Sequence, residues 1–276
     1  MAQPDRETES LELDLLLTGL AQRYGYDFTG YARPALAARV RQVLFQEGLA
    51  TLSALQERLL RDRAAMERFV ERVAERESSM FYNPDRYLAL RREVVPLLRT
   101  YPWARVWHVG CATGEEVYST AIVLQEEGVY DRARIYATDV SAAMVERARA
   151  GEYSLAAMRD DAEAARRAGC RQDLERYYRV EGERAVMAAN LRANIVFSQH
   201  NLVSDDVFNE FQLIVCREVM TSFSPDLRAR VHEVLYRSLC PFGVLALGAR
   251  ESLRGTPHAD SYREMCPGLG LHRRVR

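Results

Sequence analysis

Up to about residue 76 the apolar positions recur at helical spacing, with little sign of strands. Ser10 is placed to cap a first helix that carries Leu11, Leu15, Leu16 and Leu20 on one stripe and ends near Gly25. Pro34 suits the first turn of a second, with Leu36, Val40, Val43 and Leu44 inside and Gly48 as its stop. Thr51 or Ser53 opens a third stretch through Leu55, Leu59, Met66, Phe69, Val70 and Val73. This pattern predicts a small all-helical N-terminal domain over residues 1–76. From Trp103 onward short β-branched runs alternate with helical periods. Strands are expected at Val106–Val109, Ile135–Thr138, Ile195–Phe197, Leu213–Cys216 and Val244–Leu247. Helices are expected over Glu115–Glu127 and Ser141–Ala150, and another is opened by Ser224, Pro225 and Asp226. The alternation predicts an α/β domain over residues 77–276, a parallel sheet with helices on both faces. Between Glu152 and Asn194 the pattern gives a polar helix and then a hairpin around Gly182, a small β insertion near 175–195.

Composition narrows the class. The 276 residues are 48% hydrophobic, enough for a substantial core, and the formal net charge of −1 gives no global field for nucleic acid or membrane. All basic residues are arginine, which reads as a compositional bias. Arg33, Arg39 and Arg41 gather around the second helix, as a solvated face or as a surface for an acidic helical partner. The five cysteines lack metal or disulfide spacing, so no metal is expected. No apolar run approaches a membrane span and Met1 to Ser10 carry no signal pattern, so a cytoplasmic protein is expected.

The chemistry concentrates at predicted strand ends, where ligands of such sheets bind. Val106 to Val109 run into Gly110 and Gly114, two glycines four apart, and a helix follows at once. That turn allows a ligand to approach bare backbone. Glu115 and Glu116 at its mouth repel a pyrophosphate and suit a ligand with hydroxyls and positive charge, such as S-adenosylmethionine. Asp139 closes the next strand, where an acidic residue accepts hydrogen bonds from ribose hydroxyls.

Several segments, in order, resemble the CheR-type chemotaxis receptor methyltransferases: Ser79 to Pro84, Gly110 to Ser119, Ala137-Thr138-Asp139, His200-Asn201-Leu202, Cys216 to Met220 and Gly248 to Leu253. The resemblance implies a Rossmann-like S-adenosylmethionine-dependent domain behind the helical one, with S-adenosylhomocysteine as product. It also implies transfer of methyl to glutamates on the helical cytoplasmic region of a chemoreceptor or other signalling protein, met through the N-terminal domain. Cofactor contacts carried over fall on Ser78, Tyr82, Glu116, Asp139, Asn201, Leu202, Arg217 and Glu218, beside the turn glycines Gly110 and Gly114.

The reacting centre departs from the family pattern at three positions. Tyr82 stands for an arginine, Glu218 for an asparagine and Ser222 for a tyrosine, and these three are the candidate catalytic residues. The segment between Tyr178 and Val186 is short for a member that docks a receptor's C-terminal pentapeptide, so no such tether is expected. Glu218 poses a charge problem, because two like charges ~4 Å apart interact by roughly 4 kcal/mol at an effective dielectric of 20. Two alternatives follow from the departures. One is a methyltransferase retargeted to another acceptor, a small molecule included, with Glu218 or His200 as base. The other is a non-catalytic S-adenosylmethionine-binding sensor or scaffold.

Overall fold

The computed structural model describes residues 6–24, 26, 28, 30–74 and 79–276. Four helices open the chain: α1 (Arg6–Tyr24), α2 (Arg33–Gln46), α3 (Leu52–Arg61) and α4 (Arg63–Ala74). Their shared core includes Leu16, Leu20, Leu36, Val40, Leu55, Leu59, Phe69 and Val73. Two expectations fail here. Ser10 lies inside α1, which already begins at Arg6, and the expected stop Gly25 falls outside the described residues. The third stretch divides at Asp62, whose backbone is extended. Its Oδ1 accepts from the N–H groups of Ala64 and Ala65, so a short carboxylate ends α3 and starts α4. Thr51 caps α3 by accepting from Ala54 N–H at 3.1 Å. The arginines around α2 are engaged within this domain: Arg33 pairs with Asp14, Arg41 with Glu9, and Arg39 donates to the carbonyl of Val73.

A helical passage that the sequence pattern did not predict follows. Helix α5 (Pro84–Ala89) runs through a π-turn at Leu90–Val94 into α6 (Val95–Leu98). Pro96 cannot donate a backbone hydrogen bond, and the wider turn accommodates that loss.

The main sheet has seven strands: β1 (Ala104–Val109), β2 (Ala133–Asp139), β6 (Ile195–Gln199), β7 (Phe211–Cys216), β8 (Leu239–Leu247), β9 (Tyr262–Cys266) and β10 (Leu271–Arg274). Their order is β6-β2-β1-β7-β8-β10-β9. The first five are parallel, as expected, but β10 and β9 add an antiparallel edge. Alternation along β1 divides the core. Val106 packs with α7 (Glu115–Glu126) and α8 (Ala142–Ala150) in one cluster. Trp107 and Val109 pack on the opposite face with Leu227, Val231 and Leu235 of α11 (Pro225–Ser238). Ser141 and Ser224 cap α8 and α11.

The insertion is larger than a hairpin. Strands β3 (Glu152–Ser154), β4 (Tyr178–Glu181) and β5 (Arg184–Met187) form a second sheet in the order β3-β5-β4, with α9 (Leu155–Arg167) after β3 and α10 (Ala189–Arg192) after β5. Among the described residues no helix is long and apolar enough to cross a membrane.

Candidate functional site

The turn after β1 is a run of left-handed backbone. Gly110, Ala112 and Gly114 have φ of 61°, 47° and 93°. A Cβ at Gly114 would meet the Cβ of Ala148 at 2.9 Å, so this position has room only for glycine. The turn is fastened to the end of β2: Cys111 N–H donates to Thr138 O at 2.9 Å and Ala112 N–H donates to Asp139 Oδ2 at 3.0 Å. The other carboxylate oxygen of Asp139 accepts from Ser141 N–H, also at 3.0 Å. Asp139 therefore ties two loops together while its side chain stays 3% exposed at the floor of a cleft.

The cleft is narrow, with about 60 Å³ of cavity that opens onto solvent. Gly110, Asp139, Asn201, Leu202, Glu218 and Ser222 line one side. Tyr26, Phe28, Tyr31 and Arg39 of the helical domain line the other. The two sides are joined by Ala32 N–H donating to Ser222 O at 2.6 Å and Ser224 N–H donating to Gly30 O at 2.7 Å. The rings of Tyr31 and Phe223 meet edge to face beside them. Sequence reasoning assigned none of the helical domain's side chains to this cleft, because the approach of two cores leaves no local signal. His200 is a wall of it, packed against Trp107 and Phe208. Burial lowers its pKa, against the pull of Asp205.

Tyr82, Glu116 and Arg217 form a second group, outside the lining of that cleft. Arg217 donates to Glu116, and its guanidinium carbon lies 5.6 Å from the centre of the Tyr82 ring, which is 63% exposed. Burial raises the Glu116 pKa, but the charges of Arg217, His108 and Arg86 outweigh it and hold the carboxyl below its usual range. Arg86 donates to Leu247 O, and burial lowers its pKa to about 10. Gly114 belongs to neither lining; it packs on Ala148 and Tyr153. Ser78 lies outside the described residues.

Glu218 follows β7 in left-handed backbone, φ 56°. Its loop is held by Glu251, a residue that sequence reasoning did not single out. One carboxylate receives the N–H groups of Gly248 at 2.7 Å, Met220 at 2.8 Å and Glu218 at 2.9 Å. Burial raises the pKa of Glu251 and these three donors counter it. The Glu218 side chain accepts from Arg250 Nε at 2.9 Å, with Arg250 Nη2 at the same distance from the same oxygen. The repulsion expected from Glu218 is thus met by a cation 32 residues further on.

The donor set fits S-adenosylmethionine. Acceptors dominate the wall at Asp139 and Glu218, which suits a ribose diol and a cationic sulfonium, and Gly110 leaves the backbone beside them uncovered.

Comparison with known proteins agrees with this chemistry. Residues 76–266 match the family model described as CheR methyltransferase, SAM binding domain, and residues 11–74 match CheR methyltransferase, all-alpha domain. The chain is 41% identical over 261 residues to the Pseudomonas putida protein named "Putative methyltransferase Cher3", covering 95% of each. It is 28% identical over 247 residues to a chemotaxis protein methyltransferase of Listeria monocytogenes, covering 88% of this chain and 91% of that one. A chemotaxis protein methyltransferase of Pseudomonas aeruginosa is 26% identical over 246 residues, with 85% and 87% covered.

Proposed function

The chain belongs to the CheR methyltransferase family and is an S-adenosylmethionine-dependent methyltransferase, and from that premise we propose that its acceptor is a glutamate carboxylate on a chemoreceptor or related signalling protein. One observation supports this reading above the others: the carboxylates at the cleft are committed elsewhere and its histidine nitrogens are buried. Asp139 holds two backbone N–H groups, Glu218 is paired with Arg250, and both ring nitrogens of His200 are buried among aromatic rings with no hydrogen-bond partner among the described residues. A hydroxyl or ammonium acceptor must lose a proton, and this wall is poorly equipped to take it. A glutamate side chain ordinarily ionises near about pH 4.3, so it is already a nucleophile at neutral pH.

When bound, the cofactor supplies an electrophilic methyl group on a positively charged sulfur. The protein's work is then positioning and exclusion of water. In this reading Asp139 accepts from the ribose hydroxyls, Asn201 and Leu202 bound the adenine end, and the Glu116–Arg217 pair stands at the methionine end near Tyr82. Arg39, reaching the cleft from α2, brings a guanidinium to the side where an anionic acceptor enters. The acceptor oxygen gains the methyl as its bond to sulfur breaks, and no proton changes hands.

The test uses the full chain, methyl-labelled cofactor and purified cytoplasmic fragments of chemoreceptors. Label released as methanol in mild alkali is the expected result, because a glutamyl methyl ester is base-labile. Label that survives alkali would overturn the carboxylate reading in favour of another acceptor. Cofactor binding without any transfer would favour a sensing role.

A further inference from the structure

We infer that Arg250 is a specificity-determining residue that masks the Glu218 carboxylate, so that the cleft admits an anionic acceptor; the inference rests on the carboxylate reading above. Arg250 acts through Glu218 and is a positioning residue. The pair bridges two loops that one buried carboxylate already locks together. Glu251 receives the backbone N–H of Glu218 and Met220 from one loop and of Gly248 from the other, all within 2.9 Å. Glu218 is therefore fixed at its backbone, and its Oε1 lies 2.6 Å from where a Cβ on Gly248 would sit. Its Oε2 receives Arg250. The carboxylate is 24% exposed and lines the cleft with Asp139 and Ser222, whereas Arg250 is 77% exposed and lies outside that lining.

That asymmetry separates two roles. A pair with so exposed a partner adds little to stability. Its electrostatic effect on a neighbouring ligand is larger, because an unmasked Glu218 would present a bare negative charge inside the cleft. The charge on an attacking carboxylate is spent as its new bond to carbon forms, so the repulsion is strongest before reaction and weaker at the transition state. Removing the mask therefore raises KM for the acceptor without lowering kcat.

Arg250→Ala is expected to raise KM for chemoreceptor fragments about tenfold at low salt, with the effect shrinking as salt is added. Arg250→Lys should recover most of the loss. The double variant Glu218→Gln/Arg250→Ala should return KM close to the wild-type value, since no charge is left to mask. A second readout does not depend on turnover. Calorimetry with S-adenosylmethionine and with S-adenosylhomocysteine compares a sulfonium with a neutral thioether. In Arg250→Ala the ratio of their affinities should shift about threefold towards the sulfonium, and Glu218→Gln should abolish the shift. If neither KM nor the affinity ratio moves in Arg250→Ala, the pair is an ordinary surface contact and the inference is overturned. If the ratio moves while the wild-type protein methylates no carboxylate, the mask stands and the acceptor reading falls.

Discussion

Asp139 has two separable duties, and substitution distinguishes them. Its oxygens hold the Ala112 and Ser141 N–H groups, and in the proposed reading it also accepts from the ribose. Asp139→Ala should weaken cofactor binding by about 1.5–3 kcal/mol, the scale of a hydrogen bond to a charged group, and should also lower the melting temperature of the cofactor-free protein. Calorimetry and thermal unfolding measure the two effects, and wild-type affinity in a folded Asp139→Ala protein would place the ribose elsewhere. Glu251 offers a matching structural case. Glu251→Gln puts an amide N–H₂ where a backbone N–H now donates, and a loss of about 1–3 kcal/mol in denaturant unfolding is expected. At this scale the sequence was legible where a side chain acts on its own strand end, as Asp139 does. It was opaque where partners are distant in the chain: the charge clash inferred for Glu218 took no account of Arg250, because nothing local links positions 218 and 250.

Elements were legible where local chemistry settles them. Thr51, Ser141 and Ser224 cap the helices after them because each oxygen reaches a first-turn N–H, a preference written into the residue type. The five parallel strands were found from their β-branched cores, each two to five residues shorter than observed, with β8 the shortest relative to its full length. Strand β9 escaped because Arg263 and Glu264 are exposed on an edge strand, where charge guards against unwanted pairing and erases the apolar alternation. Helix α5 and its continuation escaped because Pro96 interrupts the pattern that the π-turn carries through. The glycine turn is the element on which the site depends most. Gly114→Ala combines a left-handed φ of 93° with an overlap against Ala148. A destabilisation of about 2–4 kcal/mol is expected, the sum of strain and overpacking, together with loss of cofactor binding. A Gly114→Ala protein that melts and binds as the wild type does would show that the turn tolerates a side chain.

For the whole molecule, two cores meet over one cleft, and their joint stability carries a pH signature that follows from buried histidines. His108 lies near the C-terminal end of β1 at 2% exposure, and His232 lies on α11 at 3%. Burial lowers both to about 4 from 6.5, with Arg217 adding to the effect at His108 against the pull of Glu116, and Arg228 adding to it at His232. A base whose folded pKa is depressed takes up its proton more readily when unfolded. Its contribution to stability is therefore complete above pH 6.5 and is lost as the pH falls towards 4. Each shift spans about 2.5 units, so each histidine should remove roughly 2–3 kcal/mol by pH 4.5. Glu251 and Asp161 run the other way, since burial raises both and their protonation on acidification relieves a cost. Stability should therefore fall between pH 6.5 and 4 as the histidine contribution is lost, with those two carboxyls offsetting part of the decline. Urea unfolding at pH 7.5, 6, 5 and 4.5 measures the decline. His108→Leu keeps the side chain apolar and of similar volume while deleting one titration, and it should make the decline shallower by about 2 kcal/mol across the range. An unchanged slope in that variant would mean that the unfolded chain gains no proton at this position relative to the fold, and the acid sensitivity would have to be sought in His232 and the remaining buried groups.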